Sequence, residues 1–414
     1  MAWENGEWLE YDQRRHKIEE INEIITLIDA EYTSVEEMPV EIAQDYFELI
    51  EKLERYNRIH RGERDLLYFA YEYFGEDLNP ENSGNWIPSY DFNAENELPS
   101  NVLANAPSFH HEICGLMDEV SYVKRNDKVG VAAPRSHAKS SFLSKAYPIH
   151  EVVYRLRKYI IIISETPDVS SANMDWISNQ LKYNEKLRAD FGPLLDPKLQ
   201  GNEKDNSSEF IAWHPIVGEQ HRRERVALVQ AASTGQRLRG RNWDGNRPDL
   251  VICDDLEDAN TNASTPELRK KLREWFASVV MPLGDPKGEL TAYVYMRTTV
   301  HHDALLMNIL HKRSDFRTKI YRAMIEQPKN MALWEQCREI YQDRNNANRA
   351  DEALAFYETN REEMDEGADV LWSDVQSLYK LMKWKWDNGS KAFNTEYQNN
   401  PIDDFRSEHL YVLE

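Results

Sequence analysis

Apolar residues recur at helical spacing early in the chain, as Ile18, Ile21, Ile24, Ile25 and Ile28 and again as Tyr46, Phe47, Ile50 and Leu53, with glutamate-rich faces between them. That period predicts helices from Met1 to about Gly75, a hairpin whose polar faces are solvated and whose stripes pack on a core or meet a partner subunit. The stretch 76–107 breaks the period with Asn79-Pro80, Asn82-Ser83-Gly84, Pro99-Ser100 and Ala106-Pro107, and reads as loop. From Phe109 to about Arg322 short apolar runs alternate with helical sequence. Val129 to Ala132, Tyr159 to Ser164, Val226 to Ala231, Leu250 to Cys253 and Leu290 to Met296 read as strands, with helical sequence in Phe142 to Ala146 and Asn173 to Leu187. Runs with no polar alternation suit strands covered on both faces, so the pattern predicts an α/β fold around a mainly parallel sheet, with a ligand site along one edge. Asn330 to Val370 is helical again, with Trp334, Tyr341, Phe356, Tyr357 and Met364 as packing anchors. A short apolar and aromatic tail follows, from Leu378 to Trp386 and from Phe393 to Pro401. The expected organisation is an acidic helical region and loop over 1–100, a core over 101–328, and a helical insertion with a C-terminal segment over 329–414.

Charge sharpens that division. The net charge is −22, yet residues 1–100 carry 25 acidic and 8 basic side chains, and 329–372 carry 11 and 5. The core over 101–328 holds 32 basic against 29 acidic, so it is near neutral and does not exclude a nucleic-acid partner. Cys114, Cys253 and Cys337 form neither a disulfide framework nor a metal pair, which fits a reducing compartment. The N-terminus lacks a basic stretch followed by an apolar one, and no run approaches the length of a membrane span, so the expectation is a soluble cytoplasmic protein with no membrane partner.

The candidate chemistry centres on Ala133-Pro134-Arg135-Ser136-His137-Ala138-Lys139-Ser140-Ser141, between the Val129 strand and a helix. A strand, a turn, Lys-Ser and a helix start are the context of a phosphate-binding loop, in which backbone N–H groups and the helix dipole face phosphate. In that reading Lys139 reaches the β- and γ-phosphates of ATP and the Ser140 hydroxyl binds Mg²⁺. Ala133 and Ala138 stand where glycines are usual, and an alanine in the left-handed region costs on the order of 1–2 kcal/mol. A second signal is Leu250-Val251-Ile252-Cys253-Asp254-Asp255-Leu256-Glu257, a buried strand with carboxylates at its C-terminal end, where α/β sheets bind ligands. Asp254 is placed to hold Mg²⁺, and Asp255 or Glu257 to orient the attacking water. Arg237, Arg239 and Arg241 lie between Gly235 and Trp243 and suit a mobile loop that offers guanidinium to phosphate. The pairs His110-His111 and His301-His302 have no companion ligands at metal spacing.

Together, the loop from Ala133 to Ser141, Ser164-Glu165-Thr166, Asn184 to Gly192, Arg239-Gly240, Arg247 to Glu257, and Glu396-Tyr397-Gln398-Asn399 with Pro401 resemble the large subunit of the terminase of tailed phages, over about residues 105–405. The resemblance implies a P-loop NTPase of the additional-strand type that tolerates alanine in place of the second loop glycine. It implies Arg135 contacting phosphate and Thr298 in the ATP-coupling segment after the last strand. In that segment this chain has Arg297 where the family has glycine and Thr299 where it has arginine. The implied activity is hydrolysis of Mg-ATP coupled to movement of double-stranded DNA into a procapsid, with Asp255 aligning water and Thr298 sensing the γ-phosphate. Implied partners are the portal protein, the small subunit and further copies in a ring, and the implied location is the host cytoplasm, docked transiently on the portal. An arginine finger would come from Arg135 in cis or from Arg239 in trans. A nuclease domain follows the ATPase region in the family; the sequence ends at Glu414 with Asp403, Asp404 and Glu408 as its last carboxylate group, so nuclease activity is not expected from an isolated ATPase region or a split gene. Two alternatives remain, a helicase-like translocase on free duplex and a non-catalytic nucleotide-binding scaffold.

Overall fold

The structure is a computed structural model that describes residues 2–4, 6–75, 106–216, 218–219 and 222–401. The expected loop over 76–107, save its last two residues, and the carboxylates Asp403, Asp404 and Glu408 lie outside the described residues. A two-stranded ribbon of β1 (Trp3–Glu4) and β2 (Glu7–Trp8) precedes α1 (Tyr11–Glu31), α2 (Val40–Arg64) and α3 (Leu66–Phe74). The first two helices form a hairpin whose small core is Ile21, Ile25 and Tyr56; Ile24 and Phe47, expected on the packed stripes, are exposed. By contrast α3 is apolar but for Glu72 and sits in the main core, which suits the run Leu66-Leu67-Tyr68-Phe69-Ala70.

An eight-stranded, mostly parallel sheet flanked by helices follows. Its strands are β3 (Lys128–Ala132), β4 (Tyr159–Ser164), β5 (Asp205–Asn206), β6 (Glu209–Pro215), β7 (Arg223–Ser233), β8 (Leu250–Asp254), β9 (Ala292–Arg297) and β10 (Arg317–Ile320). The spatial order is β10-β3-β9-β8-β4-β7-β6-β5, parallel from β10 to β7 and antiparallel at β6 and β5. In β4 the isoleucines divide between two cores, Ile160 and Ile162 on one face and Ile161 and Ile163 on the other. Burial on both faces is why the run shows no polar alternation.

β3 lies inside the sheet, with β10 on one side of it and β9 and then β8 on the other. Three strands were not among those expected: β6, although Phe210-Ile211-Ala212-Trp213 is an apolar run, and β5 and β10, which have no apolar signature; β10 reads Arg317-Thr318-Lys319-Ile320 and is only partly buried.

The helices on the sheet are α4 (Ser108–Tyr122), α5 (Tyr147–Val153), α6 (Pro167–Tyr183), α7 (Glu185–Phe191), α8 (Pro266–Trp275) and α9 (Leu305–Lys312). Beyond the sheet, β11 (Met324–Glu326) pairs with β12 (Asp369–Val370), and α10 (Met331–Gln342), α11 (Arg349–Thr359) and α12 (Arg361–Asp365) pack against α13 (Leu378–Glu396). The expected tail is therefore a helix. Gly389, at φ 83°, kinks it, and its apolar residues close a third core around Trp334, Tyr357 and Met364.

One fully buried cation aligns the strands. Arg157, just before β4, donates from Nη1 to the carbonyls of Arg125, Asp249 and Leu290 at 2.9, 2.8 and 2.8 Å, and from Nη2 to Val120 at 3.0 Å. Those carbonyls precede β3, β8 and β9, so one guanidinium fixes the starts of four neighbouring strands. Its Nε meets Glu151 at 3.2 Å. Burial opposes ionisation of Glu151, but hydrogen bonding from His150 and the Arg157 charge outweigh it and hold the carboxyl below its usual range. Removing one partner of such a pair costs about 3–5 kcal/mol. Arg157→Met is expected to lower unfolding free energy by roughly that amount in a denaturant titration; a loss under about 1 kcal/mol, the size of an ordinary surface change, would contradict the role.

Candidate functional site

The carboxyl ends of β3, β9 and β8 meet because their register pairs Ala132 with Arg297 and Asp254 with Met296. The chain leaving β3 turns at once. Ser136 and Ala138 occupy the left-handed region at φ 59° and 60°, whereas Ala133 does not. Only one of the two alanines therefore meets the glycine requirement, and a serine meets it two residues earlier. Contacts remote in sequence hold this costly path. Arg135 N donates to Glu396 O at 3.0 Å from the end of α13. His137 is fully buried, its Nδ1–H donating to Arg135 O at 2.7 Å, while His110 Nε2–H donates to His137 O at 3.3 Å. Burial lowers His137 to about 4 and His110 to about 3, so both are neutral near pH 7 and serve as fixed donors.

Beyond the loop, residues Ser141–Ala146 form a wide π-helical turn that leads into α5. Lys139 Nζ donates to Thr298 Oγ1 at 3.1 Å, and that hydroxyl donates to Ala133 O at 3.0 Å. Ser140 Oγ donates to Asp254 Oδ1 at 3.2 Å and Ser144 Oγ to Oδ2 at 2.7 Å. Asp254 is buried, and burial, reinforced by the adjacent Asp255, raises its carboxyl to about 6 against the pull of Ser144, Lys139 and Ser140. Asp255 is half-buried and left-handed at φ 50°, with its N–H donating to Met296 O at 3.3 Å, so the chain turns sharply there.

Lys139, Ser140, Asp254 and Thr298 thus converge, and Asp255 adjoins them. Three other expected site residues are engaged elsewhere. Glu257 is buried; Oε1 accepts Leu305 N at 2.5 Å, while Oε2 accepts Leu306 N at 2.9 Å and the Tyr295 hydroxyl at 3.0 Å. It caps the open N–H groups at the start of α9. The Arg135 side chain is largely exposed and lies 3.7 Å from Glu396. Arg239 donates from Nε to Ser278 O at 2.7 Å, Arg241 to Gln230 at 2.8 Å, and Leu238, just before Arg239, is fully buried. Trp275 further donates to Gln236 O at 3.1 Å, so the expected mobile loop is pinned to the sheet and to the segment after α8.

Two contributors were not among the expected site residues, although Asn399 lies in one of the motifs that carry the resemblance. Ser144 stands four residues after Ser140 and reaches the same carboxylate; that spacing was its only signal. Asn399 accepts Thr299 N at 3.0 Å and donates to Tyr321 O at 2.7 Å, and Thr299 Oγ1 reaches Thr395 O at 3.2 Å. These bonds fasten the loop after β9 to the end of α13.

A hydroxyl and a carboxylate side by side form an oxygen donor set suited to Mg²⁺. Among the described residues no group of three or more His, Cys, Asp or Glu could hold a metal alone. No helix among those residues is long and apolar enough to cross a membrane.

No protein-family model and no curated protein matches the chain. Among solved structures it is similar to the large terminase ATPase domain of Thermus phage P74-26, at 13% identity and a TM-score of 0.40, over 69% of this chain and 92% of that one. An arginine-to-alanine mutant of that domain gives 14% identity and 0.36, over 67% and 89%. The large terminase of bacteriophage HK97 gives 12% and 0.35, over 69% and 50%.

With its folded-state value near 6 and an unfolded value near 4, Asp254 binds a proton more tightly in the folded protein. The resulting stabilisation is full below about pH 4 and is lost as pH rises through about 6. Asp254→Asn should therefore raise the melting temperature of the nucleotide-free protein at pH 7.5, by a free energy on the order of 1–3 kcal/mol, with the gain shrinking toward pH 5. Thermal unfolding at several pH values reads this directly, and a gain that grows as pH falls would contradict the assignment.

Proposed function

We propose that the chain hydrolyses Mg-ATP at the carboxyl ends of β3, β9 and β8 and uses the energy to move double-stranded DNA, as the ATPase part of a terminase large subunit. The observation that carries the hydrolytic reading is the convergence of Lys139 with Thr298 and of Ser140 with Asp254 on adjacent strand ends. Support for the additional-strand P-loop type comes from β9 lying between β3 and β8. The DNA-packaging part rests on the motifs from Ala133 to Asn399 read together.

In this reading the backbone N–H groups of residues 133–141 and Lys139 bind the phosphates of ATP. Ser140 and Asp254 would hold Mg²⁺, which when bound neutralises charge on the β- and γ-phosphates. Asp255, turned out of β8, orients the water for in-line attack; Glu257 supports α9 instead. Thr298 shares its hydroxyl between Lys139 and Ala133, so an arriving γ-phosphate that takes the lysine changes the Thr298 contacts. Thr299 and Asn399 carry that change to α13 and the helices packed on it. Arg135 or Arg239 of a neighbouring copy supplies further charge in the assembled ring. The portal protein, the small subunit and DNA are the partners this function requires in the host cytoplasm.

Lys139→Ala should cut phosphate release from Mg-ATP by more than about 10²-fold while leaving the unfolding midpoint unchanged, since it deletes a phosphate-facing cation and no core volume. Asp255→Asn should keep ATP binding and lose turnover, whereas Glu257→Gln should chiefly lower stability. Undiminished turnover in Lys139→Ala would refute the site; loss of turnover in Glu257→Gln with stability intact would return the water-orienting role to Glu257. Protection of DNA inside procapsids, dependent on Lys139, reads the motor function.

A further inference from the structure

Ser164 ends β4, the strand between β8 and β7, and is fully buried. Ile160 and Ile162 lie in one core and Ile161 and Ile163 in the other, so strand alternation puts the Ser164 side chain on the face of Ile160 and Ile162. That is also the face of Asp254: Leu250 and Ile252 belong to the same core, as do Phe142, Leu143 and Ala146 of the π-helical turn. The parallel register pairs Ile163 with Cys253, so Ser164 and Asp254 stand next to each other at the carboxyl ends of adjacent strands. Thr234 fixes the Ser164 carbonyl there, its N–H donating to it at 3.0 Å while its hydroxyl donates to Leu256 O, just beyond Asp254, at 3.1 Å.

Ser164 Oγ is buried without a hydrogen-bond partner. The Asp254 oxygens on the next strand take the hydroxyls of Ser140 and Ser144 instead. Burying a hydroxyl unpaired is unfavourable, and a polar group that enters with the ligand removes that cost. Mg²⁺ holds its ligands at about 2.0–2.1 Å and keeps several waters. An O–H···O bond adds about 2.7–2.8 Å, and neighbouring strands are about 4.8 Å apart. A hydroxyl one strand from Asp254 is therefore matched to the ion through one bridging water rather than by direct contact.

We infer that Ser164 is a hydration-shell partner of the Mg²⁺ that Ser140 and Asp254 would hold, its hydroxyl accepting a hydrogen bond from a water on the ion. The inference rests on the proposed ATPase reading and deepens it. It extends the metal-facing row from β8 to β4 and stops there, short of Ser233, which pairs with Ser164 one strand farther out on β7.

Equilibrium binding of a non-hydrolysable ATP analogue to the full chain, in EDTA and across a series of Mg²⁺ concentrations, is compared for wild type, Ser164→Ala and Ser233→Ala. Ser164→Ala should bind the analogue within about twofold of wild type in EDTA and need about tenfold more Mg²⁺ for half-maximal tightening, the lower end of what outer-shell partners contribute to metal affinity. Ser233→Ala should leave both values unchanged. Without nucleotide, Ser164→Ala should unfold at or above the wild-type temperature, because it deletes an unpaired buried hydroxyl. A wild-type Mg²⁺ requirement in Ser164→Ala overturns the inference alone. A lower unfolding temperature, a matching loss of affinity in EDTA, or an equal rise in Mg²⁺ requirement in Ser233→Ala marks a packing role and also overturns it. Wild-type affinity that does not respond to Mg²⁺ overturns the ATPase reading itself, and the inference with it.

Discussion

The guanidinium of Arg157 sets the geometry on which everything above it depends. By holding carbonyls that precede β3, β8 and β9 from its own place before β4, it fixes the relative stagger of four parallel strands at their amino ends. Parallel strands of five or six residues rise about 3.3 Å per residue, so an error in stagger at one end would reappear undiminished at the other. The carboxyl ends are where Lys139, Thr298, Ser140 and Asp254 meet at hydrogen-bond distance. The buried pair with Glu151 gives the cation a counter-charge, and Ser121 and His150 complete the carboxylate.

At the functional end the chain carries strain. Ser136, Ala138 and Asp255 all hold left-handed backbone without glycine, each at a cost on the order of 1–2 kcal/mol. The compensating contacts come from α4 through His110 and from α13 through Glu396, Thr395 and Asn399. A loop whose shape depends on α13 is also a loop whose change of shape α13 will register. The same bonds that offset the missing glycines therefore supply a route between the loop over residues 133–141 and the helical cluster around Trp334.

Much of this was legible in the sequence. The isoleucine run of β4, the apolar run of β8 ending in Asp254, and the strand leading into Lys139-Ser140 carried strong local signals, because burial on both faces forbids polar residues there. Arg157 was not legible, since one arginine in Tyr154-Arg155-Leu156-Arg157-Lys158 looks like a solvated turn until three strands converge on it. The contacts of Glu257 were hidden for a related reason. Its spacing from Asp254 suggested chemistry, and only the position of α9, about fifty residues later, reveals a cap. The strand β10 and the Asn399 clamp depend on tertiary pairing, which no local period encodes.

Whether Lys139, Ser140 and Asp254 act as one site for Mg-ATP is read by equilibrium binding. Titration calorimetry with a non-hydrolysable ATP analogue, with and without Mg²⁺, would be run on wild type and on Lys139→Ala. One binding event per chain is expected, weakening by at least about tenfold, or about 1.4 kcal/mol, when either Mg²⁺ or the Lys139 ammonium is removed. Affinity indifferent to both would contradict it.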